Sequence, residues 1–247
     1  MKRIIGVLSG KGGVGKTTTC VNLGLALHKL GEDIIVVDGD LKNPNFGLHL
    51  GVFEYNMTLH DVIERDISLL EALHIHETGL RFIPAHISLQ YLNTDPSDLK
   101  EVFSEMNSDV LVDFPPGLDK IALKFLDACD EALFVTRPHL PDLTDTLKAI
   151  EVSREMGVNI KGIVLNHVRK RGYEISQDEI EAISGTNVIK KIPWDENVLK
   201  SLSRKTPLVE MNPYSPAAVA FFELASNISG REYQRPNFLK LRNFLKR

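Results

Sequence analysis

Gly10-Lys11-Gly12-Gly13-Val14-Gly15-Lys16-Thr17 is the stretch of this sequence whose residue types and spacing could do chemistry. It fits the pattern G-x-x-x-x-G-K-[ST]. Glycines at these spacings let backbone N–H groups turn inward around an anion, and a helix that opens at the loop's end adds the positive end of its dipole. Lys16 supplies a point charge suited to β- and γ-phosphates, and the Thr17 hydroxyl is a hard oxygen ligand suited to Mg²⁺. Asp113, after Val110-Leu111-Val112, fits an acid that acts on such an ion through a bound water. The loop therefore predicts binding of nucleotide phosphates together with magnesium.

The same residues also satisfy G-x-G-x-x-G, as Gly10, Gly12 and Gly15, and Asp38 follows 23 residues after Gly15. A dinucleotide-binding fold keeps a ribose-binding acid near that distance. Two features weigh against this reading. Lys16-Thr17 has no task in a dinucleotide loop, where the helix must pack close to the strand, and Asp113 has none either.

These side chains need elements to hold them. Apolar, β-branched runs at 4–8, 34–37, 80–83, 110–112, 132–135, 160–165 and 188–192 predict strands, most of them buried on both faces as in a parallel sheet. Helix-like stretches lie between them, the first from Thr18 to Leu30. Asp95-Pro96 and Ser215-Pro216 read as helix starts, and Gly157 and Gly230 as helix stops. Strand–helix alternation along 247 residues predicts one α/β domain over residues 1–230, a mostly parallel sheet between two layers of helices, the arrangement of phosphate-loop NTPases.

Composition narrows the class. The chain is 43% hydrophobic and 25% charged, and no apolar run approaches the ~18 residues of a membrane span. The opening Met1-Lys2-Arg3-Ile4-Ile5-Gly6-Val7-Leu8 mimics a signal peptide but runs into Ser9-Gly10-Lys11 with no cleavage-like end, so it reads as a strand of a cytoplasmic protein. Cys20 and Cys129 allow neither a disulfide framework nor a CxxC site, and their apolar context predicts core positions. Residues 231–247 carry six basic residues and one acid, a net +5 against −9 for the rest. An acidic body with a basic tail argues against a broad nucleic-acid surface and for an anionic partner at the tail. In helical projection Phe238, Leu241, Phe244 and Leu245 share one side, with Lys240 and Arg247 opposite and Arg242 and Lys246 flanking. That pattern fits a helix lying on an anionic membrane through residues 236–247, or one docked on its own domain.

The lysine directly after the first glycine makes the loop, with Thr18, resemble the deviant phosphate-loop ATPases. The resemblance extends through Val36-Val37-Asp38-Gly39-Asp40, Val112-Asp113-Phe114-Pro115-Pro116-Gly117, Thr144-Asp145 and Gly162-Ile163-Val164-Leu165-Asn166. Among these the chain is most similar to the MinD family. The resemblance implies a Mg²⁺-dependent ATPase that is a monomer with ADP and a homodimer with ATP, and that binds membrane reversibly. It implies a spatial regulator with a protein activator or recruited partner. Residues Gly12, Gly13, Val14, Gly15, Lys16, Thr17 and Thr18 would cradle the nucleotide. Lys11 would reach the partner subunit's phosphates, Asp40 would orient the attacking water, and Asp38 would support the adjoining loop and the magnesium. Asp113 would hold a magnesium-bound water, Pro115-Pro116-Gly117 would form a second nucleotide-sensing loop, and Asn166 would bind adenine through its amide.

Other readings stand beside this one. A ParA-type partition ATPase would bind DNA, which the acidic body disfavours. A cluster scaffold needs paired cysteines that Cys20 and Cys129 do not supply. Among single residues, Lys11 also fits a solvated loop lysine, Asp38 and Asp40 fit turn-forming acids before Asn43-Pro44, Asp113 fits a cap, and Asn166 fits a turn former at a strand end. His74 and His76 share i, i+2 spacing on a possible strand without a further ligand cluster, so surface histidines are expected rather than a metal site.

Overall fold

The computed structural model describes residues 2–65, 67–86, 96 and 99–237. Among these the strands are β1 (Ile4–Leu8), β2 (Ile34–Asp38), β3 (His74–Ile75), β4 (Arg81–Ile83), β5 (Asp109–Asp113), β6 (Glu131–Thr136), β7 (Asn159–Val168) and β8 (Val188–Pro193). They form one sheet in the order β3-β4-β2-β5-β1-β6-β7-β8. Every pairing is parallel except β3 with β4 at the edge. The mostly parallel α/β expectation therefore holds.

The alternation along each strand sends side chains to two separate cores. Ile5, Val7, Val36, Leu111, Leu133 and Val135 face one layer, with α1 (Lys16–Lys29), α9 (Leu208–Met211) and α10 (Pro216–Ser229). Leu8, Ile35, Val37, Val110, Val112 and Phe134 face the other. That layer holds α3 (Leu59–Arg65), α4 (Leu99–Ser104), α5 (Lys120–Asp127), α6 (Leu140–Glu155) and α7 (Gln177–Ser184). All five residues of β2 are buried, as an apolar strand covered on both faces requires. Two further helices, α2 (Phe46–Leu50) and α8 (Glu196–Ser203), close the space above the sheet's carboxyl edge.

The helix signals act as expected where they fall on described residues. The Ser215 hydroxyl accepts from the Ala218 N–H ahead of Pro216, and Gly230 ends α10 in a left-handed conformation. Asp95 of the Asp95-Pro96 pair lies outside the described residues, as do residues 238–247 of the basic tail. Cys20 and Cys129 are free and buried.

One finding departs from expectation. His76 is buried, with Nε2 on the Leu50 carbonyl and Nδ1 on the Thr78 hydroxyl. His74 reaches the Met57 carbonyl and packs edge-on against Tyr55 with ring centroids 5.4 Å apart. The pair are hydrogen-bonded supports of the sheet edge, not surface histidines, because the chain at β3 turns them inward against Leu50 at the end of α2 and Met57 beyond it. The segment after α10 is also engaged with the body. Tyr233 stacks on Phe222 at 5.0 Å, Arg231 pairs with Glu32, and Arg235 pairs with Glu223.

Candidate nucleotide site

The site is assembled at the carboxyl ends of the central strands, where open α/β sheets bind their ligands. β1 runs straight into the glycine loop, and the loop ends at Gly15, whose φ of 90° opens α1 at Lys16. A side chain is excluded at Gly15 on a second ground, since a Cβ there would lie 2.1 Å from Asn166 Nδ2. Gly10 packs as closely on α6: a Cβ there would lie 2.2 Å from the Asp145 carbonyl carbon. The loop is thereby clamped between α6 and the end of β7.

Lys16 is almost wholly buried, and its ammonium lies 2.7 Å from Asp113 Oδ1. Burial works to lower the Lys16 pKa, but the charge and hydrogen bond of Asp113 outweigh it, so the lysine stays charged. The other carboxylate oxygen, Asp113 Oδ2, is buried without a hydrogen-bond partner. Asp38 stands beside Asp113 in register on the neighbouring strand. Burial and the Asp113 charge push the Asp38 carboxyl well above the usual carboxylate range.

Both Asp38 oxygens serve the following loop. Oδ1 accepts the Asp40 N–H, and Oδ2 accepts those of Asn45 and Phe46. Asp40 in turn accepts the Asn43 N–H through Oδ1, and burial raises its pKa. The two acids thus build one turn, with Asp38 beneath it and Asp40 facing the ligand space.

That space is a cavity of about 430 Å³ lined by Gly12, Gly13, Gly15, Lys16, Thr17, Thr18 and Asp40. Lys11 and Pro116 stand at its edge, and Val198, Leu199 and Leu202 of α8 supply an apolar wall. The Lys11 side chain is 46% exposed and sits 3.8 Å from Asp145 and 4.0 Å from Asp142. Val14 is buried beneath the loop. Asn166 Nδ2 donates to the Val14 carbonyl over 2.8 Å, and its Oδ1 accepts the His167 N–H. The amide expected at adenine is thus engaged with the phosphate loop. A larger cavity, about 760 Å³, lies between α4 and α5 and contains none of the expected residues.

Three participants were not foreseen. His49 on α2 lines the cavity and bonds the Thr18 hydroxyl at 3.0 Å. The i, i+4 spacing of Asn45 and His49 was the available signal, since it brings the ring onto the Asn45 carbonyl. His167, held at φ 58°, lines the cavity beside Asn166. Arg137 fixes the buried Asp142 through a 2.6 Å bond, and no local pattern marks it.

A glycine cradle opening a helix, a buried lysine and paired strand-end carboxylates define a phosphate-loop nucleotide-binding protein. The profile of the CobQ/CobB/MinD/ParA nucleotide binding domain matches residues 5–208, and the chain belongs to that family. An uncharacterised ATP-binding protein of Methanocaldococcus jannaschii is 35% identical over 231 residues, 92% of this chain and 88% of the relative. The cell division ATPase MinD of Pyrococcus furiosus superposes with a TM-score of 0.88 at 34% identity, covering 93% of this chain and 99% of that one. MinD of Pyrococcus horikoshii, solved as a complex with Mg-ADP, gives 0.87 at 33% identity over 93% and 96%. Within the family the chain is a MinD-type ATPase.

Proposed function

We propose that this protein is a Mg²⁺-dependent MinD-type ATPase that dimerises on ATP, attaches reversibly to an anionic membrane and positions division or other cellular machinery. The observation that carries the reading is the contrast between two lysines of one loop. Lys16 is sealed inside against Asp113, while Lys11 stands half-exposed at the rim of the same cavity. A lysine inside serves the phosphates of its own subunit. A half-exposed lysine at the cavity's edge supports a role on the phosphates of a second copy, where it would act as an arginine finger does.

The donor set fits magnesium. Thr17 offers a hard hydroxyl oxygen, and the unpartnered Asp113 Oδ2 suits a donor such as a metal-bound water. Bound there, the ion would neutralise charge developing on the phosphates. The chain's own groups do the rest: the loop amides and Lys16 orient the phosphates, Asp40 orients water at the cavity wall, and the α8 wall excludes solvent. Asp38 acts by holding the Asp40 turn. The basic tail, 236–247, would supply the membrane contact, and a protein partner would stimulate or be recruited by the ATP-bound dimer. The acidic body disfavours DNA as that partner.

The test compares two alanine variants. Lys16→Ala abolishes ATP binding. Lys11→Ala retains binding by the monomer and loses ATP-driven dimerisation and hydrolysis. A Lys11→Ala protein that loses ATP binding as fully as Lys16→Ala overturns the division of labour.

A further inference from the structure

The His49 side chain ties the turn that carries Asp40 to the phosphate-binding helix. His49 Nδ1 lies 3.0 Å from the Asn45 carbonyl, and Nε2 lies 3.0 Å from Thr18 Oγ1. A carbonyl only accepts, so Nδ1 carries the proton. Burial keeps the ring neutral by lowering its pKa, with the Asn45 bond and the Asp113 charge opposing that shift. Nε2 is then a bare acceptor, and the Thr18 hydroxyl donates to it. Asn45 also gives its N–H to Asp38 Oδ2. The chain of bonds therefore runs Thr18, His49, Asn45, Asp38, and it ends under the Asp40 amide on Asp38 Oδ1. At the other side of the turn, His60 Nε2 bonds the Leu41 carbonyl. The turn is thus gripped at both ends, and His49 links it to Thr18 in the first turn of α1.

We propose that His49 is a positioning residue for hydrolysis, holding the Asp40 turn in a fixed relation to the first turn of α1 so that phosphates seated on that helix and the Asp40 carboxylate meet in register. This rests on the ATPase reading above and on Asp40 as the water-orienting acid. His49 touches no reacting atom in this scheme. Its effect passes through Thr18 on one side and Asn45 on the other. A displacement of about 1 Å at a reacting group is enough to cost a large factor in rate.

The experiment measures steady-state ATP hydrolysis with magnesium, and separately the affinity for a fluorescent ADP analogue, for the wild type, His49→Phe and His49→Gln. Phe fills the space and removes both bonds, whereas Gln keeps a donor and an acceptor. His49→Phe is expected to lower kcat about tenfold, with ADP affinity within about threefold of the wild type. His49→Gln should recover most of the loss. The ring nitrogens of the wild type are read by ¹⁵N NMR, which needs no variant to fold, and should show a neutral ring protonated on Nδ1. A kcat unchanged in His49→Phe overturns the proposal. So does an ADP affinity that falls by the same factor as kcat, which makes His49 a binding contact. So does His49→Gln no better than His49→Phe, or a ring protonated on Nε2. A wild type that hydrolyses no ATP removes the ATPase reading itself, and any role in hydrolysis with it, which is distinct from a working enzyme indifferent to His49.

Discussion

Asn166 Nδ2 donates to the Val14 carbonyl across 2.8 Å, joining the end of β7 to the turn of the phosphate loop. The bond is buried, so no water replaces it. Asn166→Ala leaves a buried carbonyl without a donor and is expected to cost about 1–3 kcal/mol of stability. It should also weaken nucleotide binding, because the loop loses one of its clamps. Chemical denaturation and ADP titration check both effects, and an unchanged stability means that the contact with α6 holds the loop alone.

The Lys16–Asp113 pair is buried on both sides, so removing one member strands the other. Asp113→Ala should lower the stability of the nucleotide-free protein by about 3–5 kcal/mol. Adding Lys16→Met to it should return part of that loss, since no lone charge then remains. A double variant as unstable as Asp113→Ala would show that the cavity, not the stranded charge, sets the cost.

Asp40→Ala should keep nucleotide bound and slow hydrolysis, so that an ATP-bound dimer accumulates. Size-exclusion chromatography in ATP reads this directly. A variant that stays monomeric, or turns over at the wild-type rate, removes Asp40 from the mechanism.

The basic tail calls for a cut chosen from the structure. Tyr233 stacks on Phe222 and Arg235 pairs with Glu223, so truncation after Asn237 spares the segment that packs on α10. One short amphipathic helix holds a membrane weakly, whereas two on one dimer gain about 10²–10⁴ in avidity. ATP should therefore increase sedimentation with anionic vesicles and high salt should weaken it. The truncation or Leu241→Glu should abolish it while ATP binding survives. Equal sedimentation with ADP and ATP counts against dimer-controlled attachment.

Both thiols are shielded. Burial raises the pKa of Cys20 and of Cys129, so each stays protonated far above neutral pH. The folded protein should resist a disulfide exchange reagent at pH 7–8 and react fully once denatured. Rapid modification of the native protein would reveal local opening of α1 or of the turn after α5.

The phosphate loop and central strands were legible because each is a local pattern: glycine spacing for the loop, apolar runs for β1, β2, β5 and β6. His49 was harder to see. Its helix α2 has five residues, too few for a periodic stripe, and its role depends on the facing Thr18. The bond from Asn166 to Val14 joins residues 152 positions apart, so nothing near Asn166 in sequence announces it. The sequence reads His74 and His76 as surface residues because a two-residue antiparallel edge strand leaves almost no alternation to read. The inward packing of Tyr233 was hidden by the basic residues around it, whose charges suggested solvent.

The central place of β1 has a consequence for how the protein is made. β1 precedes both of its partners, β5 and β6, in the chain, so during synthesis it must wait for residues near 110 and 131. Lys16 likewise waits for a carboxylate 97 positions downstream. At about 5–20 residues per second this delay is roughly 5–20 s. Through that interval an apolar strand and an unfilled glycine loop remain exposed, and such distant pairing is intrinsically slow. Nucleotide-binding competence therefore follows the synthesis of Asp113, and until then β1 and the glycine loop are the segments a chaperone would shield.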